Sequence, residues 1–196
     1  MSYSNDPRAA RSREAMIAAA RRLLVDEGPG AITHQRVAEL AGVGRATVYR
    51  HWARAEQLLL DAMGGTDLPL FKEPESPVRP WLHRQLRQLA DELSVPAVAG
   101  VALMLAQSSL TDPVVAARHA ESNRAVTERI AAAVEVAAAT GELRTDATPI
   151  DLTSLLVGPL HFRTVVLRAE VPDAFIDRLL DAVGTWRPSG AERAER

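Results

Sequence analysis

Cysteine is absent from the 196-residue chain, and aromatic residues make up only 4% of it. Without thiols the protein has no disulfides, no thiolate catalysis and no cysteine-ligated zinc or iron–sulfur centre. The scarcity of aromatic residues, together with abundant alanine, favours helices over strands. Lysine occurs once, at Lys72, so the chain has no phosphate-binding loop ending in Gly-Lys.

Membrane, metal and enzyme motifs are missing as well. No apolar run of about 18 uncharged residues occurs, and residues 1–16 carry charges in place of the apolar core of a secretory signal. The five histidines form no i, i+4 pair, and neither Gly-x-Ser-x-Gly nor His-Glu-x-x-His is present. We therefore expect a cytoplasmic, non-enzymatic protein with no membrane partner, no metal and no organic cofactor.

The charge is distributed unevenly along the chain. The overall net charge is −2, but residues 1–63 carry +2 and the remainder carries −4. Between Thr33 and Arg54 the local charge reaches +3. A small basic region on an acidic body is typical of a protein whose N-terminal part binds a polyanion.

Helical periodicity accounts for nearly the whole chain, so an all-α fold is predicted. Residues 64–80 contain two glycines and four prolines, which predicts a linker between a first domain at 8–63 and a second at 78–186. Pro159 should bend the helix that contains it. The predicted helices cover residues 8–27, 34–40, 45–52, 54–63, 81–93, 96–110, 113–140, 149–169 and 172–186.

Residues 33–52 have the layout of a helix-turn-helix. Ala38 is small where two helices approach closely, and Gly42 can adopt the positive φ that the turn requires. Val37, Val43 and Val48 can hold the two helices together, with Leu40 also expected to face inward. In this arrangement the first side chains of the second helix can reach base edges in the major groove of DNA.

This segment resembles the DNA-binding domain of the TetR family of transcriptional regulators. The resemblance is carried by residues 37–43, 47–52 and 56–58, and in the second domain by residues 141–144, 158–160 and 162–163. It implies a three-helix, helix-turn-helix DNA-binding domain followed by a helical domain that binds a ligand and dimerises. It also implies that Gln35, Arg45, Thr47 and Tyr49 contact bases or the adjacent sugar-phosphate and that Thr33, His34 and His51 hold phosphates. Three further arginines of the same basic segment complete the predicted DNA-binding residues: Arg36, Arg50 and Arg54.

Arg45 is also expected to read a base on physical grounds alone. An arginine at the start of a recognition helix can bind guanine O6 and N7 in a bidentate manner, which discriminates against other bases by about 1–3 kcal/mol. The family often has a lysine just before the fourth helix, where this chain has Ala55. Arg54 is the neighbouring cation that can take over the phosphate contact.

The last two predicted helices carry more apolar residues than one intramolecular face requires. This excess is typical of a four-helix interface between two copies, although a thick monomeric core is the alternative. The dimer interface is predicted at Leu156, Leu160, Phe175, Ile176, Leu179 and Leu180. Five residues that combine apolar or aromatic surface with polar groups are predicted to bind an effector: Trp81, Met104, Gln107, His161 and Phe162.

The resemblance implies a repressor that binds a pseudo-palindromic DNA operator as a homodimer and is released by a small-molecule effector. The two half-sites would then lie about 34–36 Å apart or at a comparable spacing. Two other classes remain open. One is a helical enzyme or ligand-binding protein without DNA binding, and the other is a helical adaptor that binds another protein.

Overall fold

The computed structural model describes residues 7–62 and 70–187. Helices dominate these residues, which confirms the all-α prediction. Pro29–Ala31 form a 3₁₀ turn, and Phe162–Val166 form a π-helical segment after α8. The helices are α1 (Pro7–Glu27), α2 (His34–Ala41), α3 (Arg45–His51), α4 (Ala55–Ala62), α5 (Val78–Ser94), α6 (Pro96–Ser108), α7 (Pro113–Ala139), α8 (Pro149–His161) and α9 (Asp173–Ala182).

The C-terminal end differs from the prediction, because residues expected to be helical form a strand. Strand β2 (Thr185–Trp186) pairs antiparallel with β1 (Leu143–Arg144). Gly184 precedes β2 with a φ of 155°, and a Cβ at this glycine would lie 2.5 Å from the carbonyl oxygen of Arg144. The helix therefore ends before a glycine that permits the close approach of the two strands.

Packing divides the described chain into two compact units. The first contains residues 7–62 and 100–119, and the second contains residues 70–99 and 120–187. Helices α6 and α7 each contribute residues to both units. Residues 63–69, which include the first part of the expected linker, lie outside the described residues, so the domain limits drawn from the sequence stay a prediction.

The first unit has its own apolar core, to which six helices contribute. On α1 the buried side chains are Met16, Ala20 and Leu23. Val37 is buried as expected, whereas the expectation for Leu40 is wrong, since that side chain is 42% exposed. The other members of this core include Val48 and Trp52 at the end of the helix-turn-helix, Leu58 and Leu59 on α4, Val101 and Leu105 on α6, and Val115 on α7.

The second unit has a larger core formed by α5, α7, α8 and α9. A buried carboxylate lies beside it, since Glu142 is only 2% exposed. Its two oxygens accept hydrogen bonds of 2.6 Å from the Ser76 hydroxyl and from the backbone N–H of Val78, the first residue of α5. Glu142 therefore caps the start of α5 from a distant position in the sequence.

No single helix within residues 7–62 and 70–187 is long and apolar enough to cross a membrane. Taken together, α5 and α6 reach the length and apolar composition of a membrane span, but the two helices are bent by 90° relative to each other.

Candidate nucleic-acid interface

Helix α2 of the helix-turn-helix begins at a threonine cap and ends at a glycine that forms the turn. The Thr33 hydroxyl accepts a hydrogen bond of 3.2 Å from the N–H of Arg36 and caps the start of α2. After α2, Gly42 adopts the left-handed conformation with a φ of 67°. The N–H of Val43 then donates to Ala38 and that of Gly42 donates to Glu39, at 3.0 and 3.3 Å, which is a Schellman ending.

Helix α3 is anchored at its C-terminal end and exposed at its start. Val48 is the buried residue of α3, and Trp52, the first residue after the helix, is also buried. Arg45, at the first position of the helix, is exposed. The leading side chains of this helix are therefore accessible to a ligand outside the protein.

Trp52 connects α3 to both neighbouring helices. Its carbonyl oxygen accepts a hydrogen bond of 2.8 Å from Nε2 of His34, at the start of α2. Its indole Nε1 donates a hydrogen bond of 2.8 Å to Asp61 on α4. Because α2 and α4 pack in the same core, these bonds hold the C-terminal end of α3 against both helices.

Two contacts organise the exposed face of α3. The ring of Tyr49 stacks on the buried ring of His34, with centroids 3.9 Å apart and planes inclined by 5°. The guanidinium of Arg45 lies 5.3 Å from the centroid of Tyr49 and donates a hydrogen bond of 3.1 Å to its hydroxyl. His34 thus makes its contacts inside the protein, because its Nε2 is bonded to the Trp52 carbonyl and one face of its ring is covered by Tyr49.

Arg36, another predicted DNA-binding residue, forms a two-pronged ion pair with Glu27 at the end of α1. The two N–O distances are 2.7 and 2.5 Å. The hydrogen bonds from Arg36 hold the pKa of Glu27 below its usual range, an effect that desolvation opposes and the positive charge of Arg36 supports. The Arg36 side chain is therefore engaged within the protein, a contact that the sequence did not indicate because Glu27 lies nine residues away.

The remaining predicted contacts on α2 and α3 make exposed local interactions. Gln35 donates to Glu39 at 2.9 Å, and Arg50 donates to the Thr47 hydroxyl at 3.1 Å. The imidazole of His51 is tilted against the Trp52 ring, with centroids 5.4 Å apart. Since exposed hydrogen bonds of this kind contribute little net free energy, these side chains can exchange them for contacts to another molecule.

Arg54 lies between two carboxylates. Its Nε is 3.6 Å from Glu56 and 3.7 Å from Asp112. Asp112 caps α7 by accepting from the N–H groups of Val114 and Val115, and it also accepts a hydrogen bond of 3.0 Å from Gln57. Burial raises the pKa of Asp112, but these hydrogen bonds and the charge of Arg54 outweigh it, so the pKa is lowered.

Asp61 is a structural residue that sequence analysis missed. Its carboxylate is 9% exposed and accepts from Trp52, from Arg13 on α1 at 2.5 Å and from Arg118 on α7. Burial raises its pKa, whereas the Arg118 and Trp52 hydrogen bonds and the positive charges of Arg118 and Arg13 lower it, with a net lowering. Its arginine partners lie 48 and 57 residues away, so no local pattern indicates them.

Two family models match the chain. One, described as "Bacterial regulatory proteins, tetR family", matches residues 16–62, and the other, described as "Tetracyclin repressor-like, C-terminal domain", matches residues 77–183. The chain belongs to the TetR family. It is accordingly a DNA-binding transcriptional regulator, with α2, the turn and α3 as its helix-turn-helix. No curated protein matches it.

Three solved structures have the same fold as this chain. The TetR-family regulator SCO0332 is 26% identical, with 87% of this chain and 94% of that chain covered and a TM-score of 0.64. NalD from Pseudomonas aeruginosa, described as the secondary repressor of the MexAB-OprM multidrug efflux pump, is 21% identical, with 93% and 100% covered and a TM-score of 0.60. A putative regulator from Saccharomonospora viridis in complex with choline is 18% identical, with 88% and 95% covered and a TM-score of 0.59.

The residues predicted to bind an effector in this TetR-family chain belong to different units. Trp81 is buried in the core of the second unit, where His161 is half-buried and Phe162 is 54% exposed. Met104 and Gln107 belong to the first unit. An open depression of about 360 Å³ in the first unit contains none of these five; it is lined by Arg22, Leu23, Asp26, Glu27, Arg36, Glu39 and Leu40.

The residues predicted for a dimer interface in this TetR-family chain lie mostly in its own core. Phe175 is half-buried beneath the guanidinium of Arg163, 4.7 Å from the ring centroid. The other five predicted residues are buried within the second unit: Leu156, Leu160, Ile176, Leu179 and Leu180. Their assignment to a dimer interface stays a prediction, because periodicity identifies apolar faces but does not say which one faces outward. The exposed apolar side chains of the same region are Ile150, Leu155, Phe162, Val166 and Leu167.

Proposed function

We propose that this TetR-family regulator is a homodimeric repressor that binds a pseudo-palindromic operator and releases it when a small-molecule effector binds. The observation that carries the proposal is the exposed start of α3, where Arg45 is ordered against Tyr49 without being buried. Base reading by such an arginine requires an accessible guanidinium at the leading end of a helix that projects from its scaffold.

Phosphate binding is supported by the exposed polar side chains around Arg45. Arg50 and His51 are exposed on α3, and Gln35 is exposed on α2. Arg50 donates to the neutral hydroxyl of Thr47, which leaves its charge available to a phosphate. The buried His34 and the paired Arg36 are poorer candidates for direct contact and serve better as supports for α2 and α3.

A homodimer is supported by the apolar surface of α8 and the π-helical segment. Phe162, Val166 and Leu167 are each more than half exposed, and Ile150 and Leu155 are exposed on α8. Apolar side chains grouped on one element mark an interaction surface more often than isolated ones do. A second copy of the same chain would place two recognition helices on an inverted repeat.

Release by an effector is supported by the connections between α4 and α7. Gln57 on α4 bonds to Asp112 at the start of α7, and Asp61 on α4 bonds to Arg118 within α7. Because α7 continues into the second unit, a ligand that moves this helix changes the support of α3 through Asp61 and Trp52. Such a ligand must bind the low-affinity conformation more tightly, with a coupling of about 1–3 kcal/mol.

Two proteins with this fold support the proposed repressor function and the proposed effector binding by analogy. NalD is described as a repressor, and the Saccharomonospora viridis protein was solved in complex with choline. A repressor function and a small-molecule ligand are therefore both found in chains with this fold.

The proposal is tested by selecting bound fragments from random duplex DNA with the full chain. Recovery of an inverted repeat, with affinity that falls steeply as salt concentration rises, is the expected result. A single asymmetric site would contradict the homodimer, and no enrichment at any salt concentration would favour a ligand-binding or adaptor protein. Addition of small-molecule libraries to the bound complex then tests release by an effector.

A further inference from the structure

Tyr49 contacts two residues of the helix-turn-helix that the chain separates by eleven positions. One face of its ring stacks on His34, at a centroid distance of 3.9 Å. Its hydroxyl accepts a hydrogen bond of 3.1 Å from the guanidinium of Arg45. His34 is held in turn by its hydrogen bond of 2.8 Å to the carbonyl of Trp52. A continuous series of contacts therefore runs from the end of α3, through His34 and Tyr49, to the exposed Arg45.

The spacing of Arg45 and Tyr49 and the number of N–H donors on the guanidinium allow Arg45 to contact Tyr49 and a base at the same time. Arg45 and Tyr49 are four residues apart on α3, so both side chains lie on one face of the helix. The hydroxyl engages one terminal nitrogen of Arg45, whereas the guanidinium has five N–H donors. A complete pair of parallel N–H groups therefore remains to bind guanine O6 and N7.

We propose that Tyr49 is a positioning residue for base recognition, which holds Arg45 in the orientation that reads guanine, and that His34 fixes the ring of Tyr49. This inference rests on the proposed function, because it requires Arg45 to contact a base. A free arginine side chain has many rotamers, and binding must restrict them. Tyr49 restricts them before DNA arrives, which lowers the entropic cost of recognition.

The proposal differs from a direct contact between Tyr49 and DNA in one measurable respect. If the hydroxyl acts through Arg45, its removal matters only while Arg45 is present. If the hydroxyl contacts a base or phosphate itself, its removal costs the same affinity whether Arg45 is present or absent.

The test is a double-mutant cycle on the operator recovered from random DNA. Four proteins are compared: the natural chain, Tyr49→Phe, Arg45→Ala and the double variant. Affinity is measured for the operator and for its single-base variants, and the position at which Arg45→Ala loses preference is taken as the position that Arg45 reads. Tyr49→Phe keeps the ring on His34 and removes only the hydroxyl, so thermal unfolding should be unchanged.

Tyr49→Phe should reduce discrimination at the Arg45 position by about threefold to tenfold, as expected for one lost hydrogen bond. The same substitution should have no effect in the Arg45→Ala background. Gln88→Ala is the matched control, because it removes another exposed i, i+4 hydrogen bond, to Glu92 in the second unit. This control should leave discrimination unchanged.

Equal losses in both backgrounds, or unchanged discrimination in Tyr49→Phe, would overturn the positioning role while leaving the proposed function intact. A natural chain that enriches no DNA sequence would overturn the proposed function itself and this inference with it.

Discussion

The indole of Trp52 and the carboxylate of Asp61 are joined by a hydrogen bond of 2.8 Å between Nε1 and Oδ2. Asp61 also accepts from Arg13 and Arg118, so one carboxylate connects the end of α3 to α1, α4 and α7. Partly buried hydrogen bonds to a charged group are stronger than exposed ones. The position of the recognition helix therefore depends on a residue that is outside the expected interface.

Asp61→Asn should destabilise the protein by about 1–3 kcal/mol at neutral pH, because the amide loses the charge that its two arginine partners require. The pKa of Asp61 is lowered in the folded chain, despite opposing desolvation, by Arg118, Trp52 and Arg13. The contribution of the Asp61 carboxylate to the free energy of unfolding is therefore complete above its pKa in the unfolded chain, near 3.8. This contribution is lost as the pH falls through the lower pKa of the folded chain. Denaturant unfolding from pH 7 to pH 2.5 measures this dependence.

Arg22→Gln is the matched control for Asp61→Asn. Arg22 pairs with Asp26 at 3.6 Å on the exposed face of α1, and such surface pairs contribute less than about 1 kcal/mol. Equal stability losses for the two variants would show that the Asp61 contacts are no stronger than an ordinary surface pair.

Arg54→Ala should weaken binding to all DNA sequences and reduce the salt slope by about one unit, if Arg54 exchanges Asp112 for a phosphate when DNA binds. Both carboxylates near Arg54 are more than 3.5 Å from its Nε, so the exchange breaks no short hydrogen bond. Fluorescence anisotropy at several salt concentrations gives the slope. An unchanged slope would mean that Arg54 stays with Asp112, and Arg84→Ala, which removes an exposed arginine from the second unit, should leave the slope unaltered.

Gly42→Ala should cost about 1–2 kcal/mol of stability, because an alanine is strained at a φ of 67°. Open space surrounds the position, since a Cβ there would meet no atom within 4 Å, so the loss isolates the backbone effect. Gly30→Ala is the control, as it has equal space and no positive φ. Thermal unfolding of both variants distinguishes backbone strain from a general intolerance of side chains in the first unit.

The turn at Gly42 and the caps of α2 could be predicted because their causes are local. A threonine before the helix and a glycine after it determine the hydrogen bonds within a few residues. Contacts between distant residues could not be predicted in this way. Glu142 caps α5 across 64 positions, and no periodicity indicates that an isolated glutamate will be buried there.

In the candidate interface, too, local features could be predicted from the sequence and contacts between distant residues could not. Exposure of Arg45 follows from its place at the start of α3, whereas the pairing of Arg36 with Glu27 depends on how α1 packs against α2. Sequence patterns therefore indicated which segment faces outward, but not which of its charges are already neutralised.

Glu142→Gln should destabilise the second unit by about 1–3 kcal/mol. The amide has one acceptor oxygen, whereas the carboxylate accepts from Ser76 and Val78 through different oxygens. The NH₂ group would therefore face either the Val78 N–H, which can only donate, or the Ser76 hydroxyl, whose hydrogen would have to turn to another acceptor. Glu121→Gln, at an exposed position of the same unit, should change stability by less than about 0.5 kcal/mol. Equal effects in chemical unfolding would show that the cap on α5 adds no stability.

Val166→Asp should convert the proposed dimer into a folded monomer. Val166 is exposed in the single chain, so the substitution does not disturb the core, but a carboxylate placed in an apolar interface is desolvated without a partner. The twofold symmetry introduces this cost twice, which predicts a rise in the dimer dissociation constant of about 100-fold or more. Sedimentation velocity measures the change. Val25→Asp replaces a more exposed valine on α1 and should leave the oligomeric state unaltered, so dissociation by both variants would point to a general charge effect and against an interface at the π-helical segment.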